Sequence, residues 1–425
     1  MFQPLLDAFI ESASIKKIAS KSPPPLKIAV ANWFGGVKEF KASVLYFILK
    51  QRYKIILHNN PNEPSDLVFG NPLGQARNIL SYQNTKRVFY TGENEAPNFN
   101  LFDYAIGFDE LDFNDRYLRM PLYYAYLHYK AEIVNDTTSP YKLKALYTLK
   151  KPSHNFKENH PNLCALIHNE IDPLKRGFAS FVASNANAPV RNAFYDALNA
   201  IEPVAGGGSV RNTLGYKVEN KNEFLSQYKF NLCFENSQGY GYVTEKILDA
   251  YFSHTIPIYW GSPSVAKDFN PKSFVNVHDF KDFDEAIDYV RYLHTHPNAY
   301  LDMLYENPLN TLDGKAVFYQ DLSFEKILDF FKNILENDTI YHCNDAHYSA
   351  LHRDLNEPLV SVDGLRRDHD NLRRDHDNLR RDHERLLSKA TPLLELSQNT
   401  SFKIYRKAYQ KSLPLLRAIR RWVKK

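Results

Sequence analysis

Apolar residues in the first hundred or so positions gather in short runs. Lys27–Trp33, Tyr53–Leu57, Asp66–Phe69, Arg87–Tyr90 and Asp103–Phe108 are each closed by turn-forming residues. A run without polar alternation suits a strand covered on both faces, the condition of a parallel sheet, and Ala42–Gln51 has the length of a crossover helix. The pattern becomes polar over about 155–172. Strands then resume at Gly177–Ser184, Phe230–Phe234, Ile256–Trp260 and Phe274–Val277, separated by helical candidates at Val190–Ala200, Asn222–Tyr228 and Val243–Phe252. The pattern predicts two α/β domains, residues 1–160 and 161–350, facing a cleft. Open α/β sheets bind ligands outside the carboxyl ends of their strands, so candidate chemistry is sought where a strand gives way to a loop and a helix.

Further along, the period becomes seven. Asp363–His369, Asp370–His376 and Asp377–His383 repeat, and Leu365, Leu372, Leu379 and Leu386 fall at one heptad position. Leu at d places Asp368 at g and Arg373 at e, the spacing of parallel interchain pairing. This predicts a coiled coil over 363–386 and with it a homodimer. A single charged helix held by pairs such as Asp363 with Arg367 is the alternative. His369, His376 and His383 then occupy a, so the seam is weak and loosens below the ordinary His pKa of about 6.5. Over 391–425, Phe402, Tyr405, Tyr409, Leu413, Leu416, Ile419 and Val423 lie at helical spacing, and Pro414 can kink the helix. Nine Lys or Arg and no acid occupy 396–425. A basic amphipathic helix with Trp422 near its end predicts association with an anionic membrane surface, with a partner groove or a solubilising tail as alternatives.

The 425 residues suffice for two or three domains, and 44% hydrophobic with 24% charged residues is ordinary for a globular protein. Aromatic residues, at 14%, are abundant enough to serve as ligand-gripping surface as well as core. Cys164, Cys233 and Cys343 form no CxxC, which argues against a disulfide frame or zinc site and suggests a reducing compartment. Asp7 and Glu11 interrupt the N-terminal apolar stretch, and no run approaches ~18 apolar residues, so neither a signal peptide nor a spanning helix is expected. The net charge of +4 belongs to the basic tail and leaves the body mildly acidic, so nucleic acid is not an expected partner.

Two constellations carry candidate chemistry. In Val88–Pro97 a strand runs into a Gly turn bearing Glu93, Asn94 and Glu95. A strand-end carboxylate accepts a proton from a substrate hydroxyl if burial or a neighbouring negative charge raises its pKa; a solvated acidic turn is the plain alternative. In Lys229–Phe252, a strand leads through a Gly-containing loop into a helix with Val243, Ile247, Leu248, Tyr251 and Phe252 on one apolar face. Glu245 and Lys246 sit in the first turn off that face, so unpaired N–H groups and a lysine suit a pyrophosphate. Tyr242 is placed to stack on or bond a donor. Glu245 is placed to hold a sugar hydroxyl or favour positive charge at an anomeric carbon. An ordinary capped helix is the alternative, since this is neither a Walker loop nor a GxGxxG fingerprint. Arg191 opens a helix after Pro189 and has the fork to hold phosphate oxygens. Gly206–Gly208 reads as a mobile lid or a linker, and Asp282-Phe-Asp284 as a helix N-terminus rather than a metal site.

TGENE (91–95), FVASNANAPVRNAFYDAL (181–198) and FNLCFENSQGYGYVTEKILDAYFSHTIPIYWGSPSV (230–265) together resemble the bacterial α-1,3-fucosyltransferases that build Lewis-type antigens on lipopolysaccharide. The resemblance implies a GT-B architecture of two Rossmann-like domains, with acceptor bound in the first and nucleotide sugar in the second. It also implies inverting transfer from GDP-fucose to N-acetylglucosamine in a Gal-GlcNAc unit. Its general base would be Glu95, with Glu245 a second catalytic carboxylate. Its donor pocket would use Asn94, Arg191, Val218, Glu219, Asn220, Lys221, Asn236, Tyr242, Val243, Thr244, Glu245 and Lys246. Cations of the pocket take the place of a metal, so no cofactor is expected. The cytoplasmic face of the inner membrane is the expected location. Guanine and fucose identity rest on the resemblance alone, with a different nucleotide sugar, or a non-catalytic scaffold acting through the heptads, as the competing functions. His347 and Tyr348, at the end of the body, are expected to select the acceptor and to allow some α-1,4 transfer.

Overall fold

A computed structural model of the chain describes residues 2–13, 15, 23–71, 76–134, 172–320, 322–344 and 412–413. The heptads of 363–386, the loop with His347 and Tyr348, and the basic tail apart from Ser412 and Leu413 lie outside the described residues. Met1–Asn344 form one compact unit.

The first sheet holds β1 (Pro25–Ala31), β2 (Lys54–His58), β3 (Leu67–Gly70), β4 (Lys86–Tyr90), β5 (Tyr104–Gly107) and β6 (Tyr117–Arg119), in the order β2-β1-β3-β4-β5-β6. Every pairing is parallel. β3 and β5 are buried at every position, which is why their sequences read as uninterrupted apolar runs. Around it lie α1 (Phe2–Ser12), α2 (Gly36–Lys41), α3 (Val44–Leu49), α4 (Ala76–Leu80) and α5 (Leu122–Val134). The second sheet holds β7 (Gly177–Phe181), β8 (Val204–Gly206), β9 (Tyr228–Phe234), β10 (Ile256–Trp260) and β11 (Val275–Asn276), in the order β11-β10-β9-β7-β8, again parallel. Its helices are α6 (Pro189–Ile201), α7 (Lys221–Leu225), α8 (Glu245–Phe252), α9 (Val265–Asp268), α10 (Phe283–Thr295) and α11 (Pro297–Tyr305). A small hairpin, β12 (Thr311–Leu312) and β13 (Lys315–Ala316), precedes α12 (Phe324–Glu336).

The two sheets share one winding. In each, the first strand leads outward to its neighbour and the chain returns on the other side, so the direction of winding reverses between β1 and β3 and between β7 and β9. At such a point successive loops diverge and leave a crevice at the carboxyl edge.

The α/β class and nine of the strands follow the sequence pattern to within a few residues. β6 and β8, three residues each, do not show in it, nor does α5, whose Leu-Tyr-Tyr-Ala-Tyr stretch is apolar on more than one face. Two expectations need correction. Gly206–Gly208 is neither lid nor linker: Gly206 ends β8, and a Cβ there would overlap the Arg211 carbonyl. One at Gly207 would meet Val218 at 2.9 Å, and one at Gly208 would strike the backbone of Ala183. The 161–350 division also fails at its far end, because α12 returns to the first sheet. Its ring of Phe331 lies 5.7 Å from Phe69 and Phe330 lies 6.2 Å from Tyr104, while Lys86 Nζ donates to the Ile334 carbonyl at 2.7 Å. The reason is the helix's apolar face, Phe324, Ile327, Leu328, Phe331 and Ile334, which the first sheet covers. Beyond it, His342 Nδ1 meets the Asp103 carboxylate at 2.7 Å with both side chains buried. Asp282 does act as a helix N-cap, accepting from the Glu285 N–H at 3.0 Å.

The sheets are joined by a buried bidentate pair. Arg119, at the end of β6, donates to Asp268, at the end of α9, at 2.8 and 2.7 Å, and Tyr123 OH donates to the same carboxylate at 3.2 Å. Beside it the Tyr242 ring lies 5.0 Å from that of Phe108. Gly241 makes this approach possible: its φ is 76°, and a Cβ would overlap the Phe108 carbonyl oxygen.

Candidate active site

At the β7/β9 switch point the loops after both strands contribute to one network. Arg191, in the first turn of α6, is 3% exposed, and its guanidinium donates to Asn236 Oδ1 at 3.0 Å and to the Asn185 carbonyl. Its Nε is buried without a hydrogen-bond partner. Burial lowers the Arg191 pKa, and the charge of Glu235 opposes that shift. Asn236 directly follows Glu235, so the bond from Arg191 spans the crevice between the two strands.

Glu235 is the residue that sequence reasoning passed over. It is 0% exposed at the end of β9 and accepts from the Thr244 N–H at 2.8 Å, from the Thr244 hydroxyl at 2.9 and 2.8 Å, and from Lys246 Nζ at 2.6 Å. Burial pushes its carboxyl up, against the pull of Lys246. Lys246 is in turn drawn down by burial, but Glu235 outweighs this and raises it. Three donor groups converge on the carboxylate, and each favours its charged form. Lys246 therefore stands already committed to a buried acid, where the sequence suggested a lysine waiting for phosphate. The only linear signal was an acid immediately after a buried strand and ten residues before a helix-opening Glu-Lys pair.

Thr244 holds the N-cap position of α8 yet caps no N–H with its side chain, because its hydroxyl faces Glu235. Glu245 opens the helix, half-buried, with its carboxylate 4.0 Å from Lys246. Val243 is buried in the core, and its carbonyl accepts from the Tyr123 N–H at 3.3 Å. Tyr242 is buried, its phenol pushed up chiefly by burial and next by Glu235.

The 218–221 stretch borders this network less directly. Val218 N–H donates to the Gly207 carbonyl at 3.0 Å, and Glu219 is exposed. Asn220 caps α7 by accepting from the Glu223 N–H at 3.1 Å. Lys221 pairs with Asp249 of α8 at 2.7 Å, and Tyr126 of α5 donates to the other oxygen at 2.8 Å.

The first sheet brings its acidic turn to the same place. Asn94 Nδ2 donates to Ser237 Oγ at 2.9 Å and to the Gln238 carbonyl at 3.1 Å, tying the Thr91–Glu95 turn to the loop that follows β9. Glu95 is exposed, and so is Glu93, whose carbonyl accepts from the Glu95 N–H at 2.8 Å. Burial, one of the two devices the sequence suggested for activating a carboxylate, thus does not act on Glu95. It acts on Asp109, at the end of β5, whose pKa it raises and whose Oδ2 is buried without a partner.

Two family models match the chain in order: the alpha-(1,3)-fucosyltransferase FucT N-terminal domain over residues 30–126, and the glycosyltransferase family 10 (fucosyltransferase) C-terminal region over 173–305. An alpha-(1,3)-fucosyltransferase FucT of Helicobacter pylori is 75% identical, over 100% of this chain and 99% of its own length. A crystal structure of an alpha1,3-fucosyltransferase with GDP-fucose superposes with a TM-score of 0.73 at 82% identity, covering 81% of this chain and 100% of that one. One with GDP gives 0.72 at 83% identity, covering 80% and 99%. The two matched regions contain the two switch points described above, and with full-length identity this high the chain belongs to glycosyltransferase family 10 and is a fucosyltransferase.

Proposed function

We propose that the enzyme transfers L-fucose from GDP-β-L-fucose to the 3-hydroxyl of N-acetylglucosamine in Gal-GlcNAc acceptors, in a GT-B arrangement with the donor in the second-sheet crevice. The observation that carries this reading is the Arg191–Asn236 bond across the β7/β9 crevice beside the Glu235–Lys246 pair. It sets the Arg191 guanidinium, a lysine held in place by its buried acid, and an uncapped helix start where a pyrophosphate fits. In the proposed reaction the acceptor oxygen bonds to C1 of fucose and the bond from C1 to the β-phosphate oxygen breaks. The electron pair leaves on GDP, and the acceptor proton passes to Glu95. One displacement gives one inversion, from β to α. Arg191 and Lys246 meet the charge developing on GDP. Glu245 lies one residue before Lys246, suitably for holding a fucose hydroxyl or favouring the oxocarbenium character of C1. Asn94, Asn236, Tyr242, Val243 and Thr244 wall the pocket, and Val218, Glu219, Asn220 and Lys221 form its far side. Bound substrates supply the burial that Glu95 lacks in the free protein, and no cofactor enters.

Glu95→Gln is expected to lower kcat by about 10²–10⁴-fold while leaving the dissociation constant of GDP-fucose within twofold. A variant with wild-type kcat removes Glu95 as base. A crystal structure of a similar protein with GDP-fucose supports the donor assignment.

Three parts of the reading rest on segments outside the described residues. Tyr348, with His347, gives some α-1,4 transfer; Tyr348→Ala then lowers transfer to Galβ1,3GlcNAc more than to Galβ1,4GlcNAc, and parallel loss on both rejects it. The heptads hold a homodimer; an unchanged sedimentation mass after deleting 363–386 rejects it. The basic tail holds the enzyme at an anionic membrane on the cytoplasmic side; equal membrane recovery after truncation at Leu396 rejects that.

A further inference from the structure

The crevice at the first switch point, between β1 and β3, has no role in the donor reading, and its lining is of a different kind. β1 ends at Ala31, and the chain turns through Asn32, Trp33 and Phe34 into α2, with positive φ at Asn32 (54°), Gly35 (69°) and Gly36 (64°). Those values fix a tight reversal that the Gly36 N–H to Trp33 carbonyl bond of 2.9 Å closes, and Asn78 Nδ2 donates to Asn32 Oδ1 at 2.8 Å. The two aromatic neighbours then part company. Trp33 turns down onto the sheet, stacked on Tyr90 at 5.1 Å and 12°, and edge-on to Phe40 at 5.0 Å. Phe34 is left 90% exposed, the most exposed large apolar side chain among those described.

Position gives that exposure a meaning. Tyr90 is the last residue of β4, and the Thr91–Glu95 turn follows it directly, so the Trp33 stack anchors the Phe34 loop to the strand that carries the proposed base. β1 and β4 are parallel and separated by β3 alone, so their carboxyl ends lie on one edge of the sheet about 10 Å apart. An acceptor ring reacting at Glu95 reaches only part of that distance, and the sugar attached to it reaches the rest. That sugar is galactose in the proposed acceptor. Its axial 4-hydroxyl leaves one face of the ring covered with C–H groups, a surface that an aromatic ring meets without directional hydrogen bonds. Exposing Phe34 to water has a solvation cost, which contact with such a face relieves.

We propose that Phe34 is an acceptor-binding residue that stacks on the galactose ring next to the reacting N-acetylglucosamine. This rests on the acceptor reading above and adds the subsite that recognises the second sugar. Phe34 acts on the disaccharide and not on the ring that receives fucose, so it sets acceptor KM and leaves donor KM untouched.

The test compares Phe34→Ala and Phe34→Trp with wild type on Galβ1,4GlcNAc and on N-acetylglucosamine alone. Phe34→Ala is expected to raise KM for the disaccharide about 5- to 20-fold, to leave KM for the monosaccharide and for GDP-fucose within twofold, and Phe34→Trp to restore the disaccharide value. An unchanged disaccharide KM, or equal rises for both acceptors, overturns the proposal. Saturation-transfer NMR with Galβ1,4GlcNAc and no donor gives a readout independent of turnover. Galactose-ring signals that vanish in Phe34→Ala support the subsite, and signals that persist at wild-type strength overturn it. Failure of the acceptor reading itself would show differently, as a wild-type enzyme that transfers fucose to neither sugar.

Discussion

At the switch point of the second sheet, between β7 and β9, the side chains are charged and committed to one another: Arg191 to Asn236, Lys246 to Glu235. At the corresponding point of the first sheet, between β1 and β3, those among the described residues are aromatic and amide: Trp33 on Tyr90, Asn78 on Asn32, and Phe34 facing water. The winding that creates the two crevices is the same, so topology provides a place and the residues after each strand decide what it accepts. A dianionic diphosphate calls for fixed cations whose charge is prepared before it arrives. A neutral glycan calls for flat apolar surface and a few amides.

The two sheets are joined through Arg119 and Asp268. Replacing Arg119 by Met leaves a fully buried carboxylate uncompensated and is expected to cost about 3–5 kcal/mol. Replacing Lys267, whose pairing with Glu110 at 2.5 Å spans the same junction at the surface, is expected to cost less than about 1 kcal/mol. Denaturant titration of both variants checks this; equal losses would mean that the junction draws its strength elsewhere.

Breaking the charged crevice from inside comes next. Glu235→Ala strands Lys246 beside the proposed donor site and is expected to destabilise by about 1–3 kcal/mol, below the full buried-pair cost because Lys246 keeps some access to water. Glu235→Gln retains an acceptor for the Thr244 N–H but not the charge. Its expected signature is a GDP-fucose KM raised several-fold, with the KM for acceptor unmoved. A donor KM unchanged in both variants would show that Lys246 needs no partner to hold its place.

These two sites also show what a linear sequence reveals. Parallel strands buried on both faces announce themselves as apolar runs, so the α/β class and the strand ends carrying Glu95 and Asn236 were legible. Elements of three residues, β6 and β8, have no period to read. The Arg119–Asp268 pair joins residues 149 positions apart, and only the packed fold brings them together. Glu235 lay inside a segment already singled out, yet nothing in the order of residues says that a strand-end carboxylate turns back onto the helix start. Phe34 lies one residue past the predicted strand Lys27–Trp33 and carried no signal, because an apolar residue next to glycine looks the same whether it is buried or presented.

Acid separates the two sheets in a milder way. In the second, burial pulls the His254 imidazole down to about 3. Its unfolded form binds a proton below the ordinary value of about 6.5, so the unfolded state holds more protons between those limits and stability falls as pH falls. Between pH 6.5 and 4.5 the loss is about 2 kcal/mol. In the first, burial pushes Asp103 up, but bonds from His342 and the Arg87 backbone outweigh it and hold the carboxyl below its ordinary value. Its contribution is present above about 3.9 and is lost only as pH falls further. His254→Asn, which tolerates the φ of 52° at this position, should flatten the slope of stability against pH between 6.5 and 4.5. An unaltered slope would assign the acid sensitivity to another group.

The smallest expected effect sharpens the comparison most, because it separates a perturbed carboxylate from a reactive one. Asp109 has the feature usually sought in a general base, a pKa raised by burial, and lies at the carboxyl edge one strand from the Glu95 turn. Its side chain, however, is folded back along β5: Oδ2 is buried and stands 3.5 Å from where a Cβ of Gly107 would be. Its carboxylate oxygen is thus buried, whereas Glu95, the proposed base, is exposed. Asp109→Asn removes the charge with little change of shape and relieves the cost of burying a carboxylate. It should therefore leave kcat within about threefold and stability unchanged or slightly higher, while the acid limb of the pH–rate profile stays in place. A loss of kcat on the scale expected for Glu95→Gln, together with a shifted acid limb, would transfer the role of base to the buried residue.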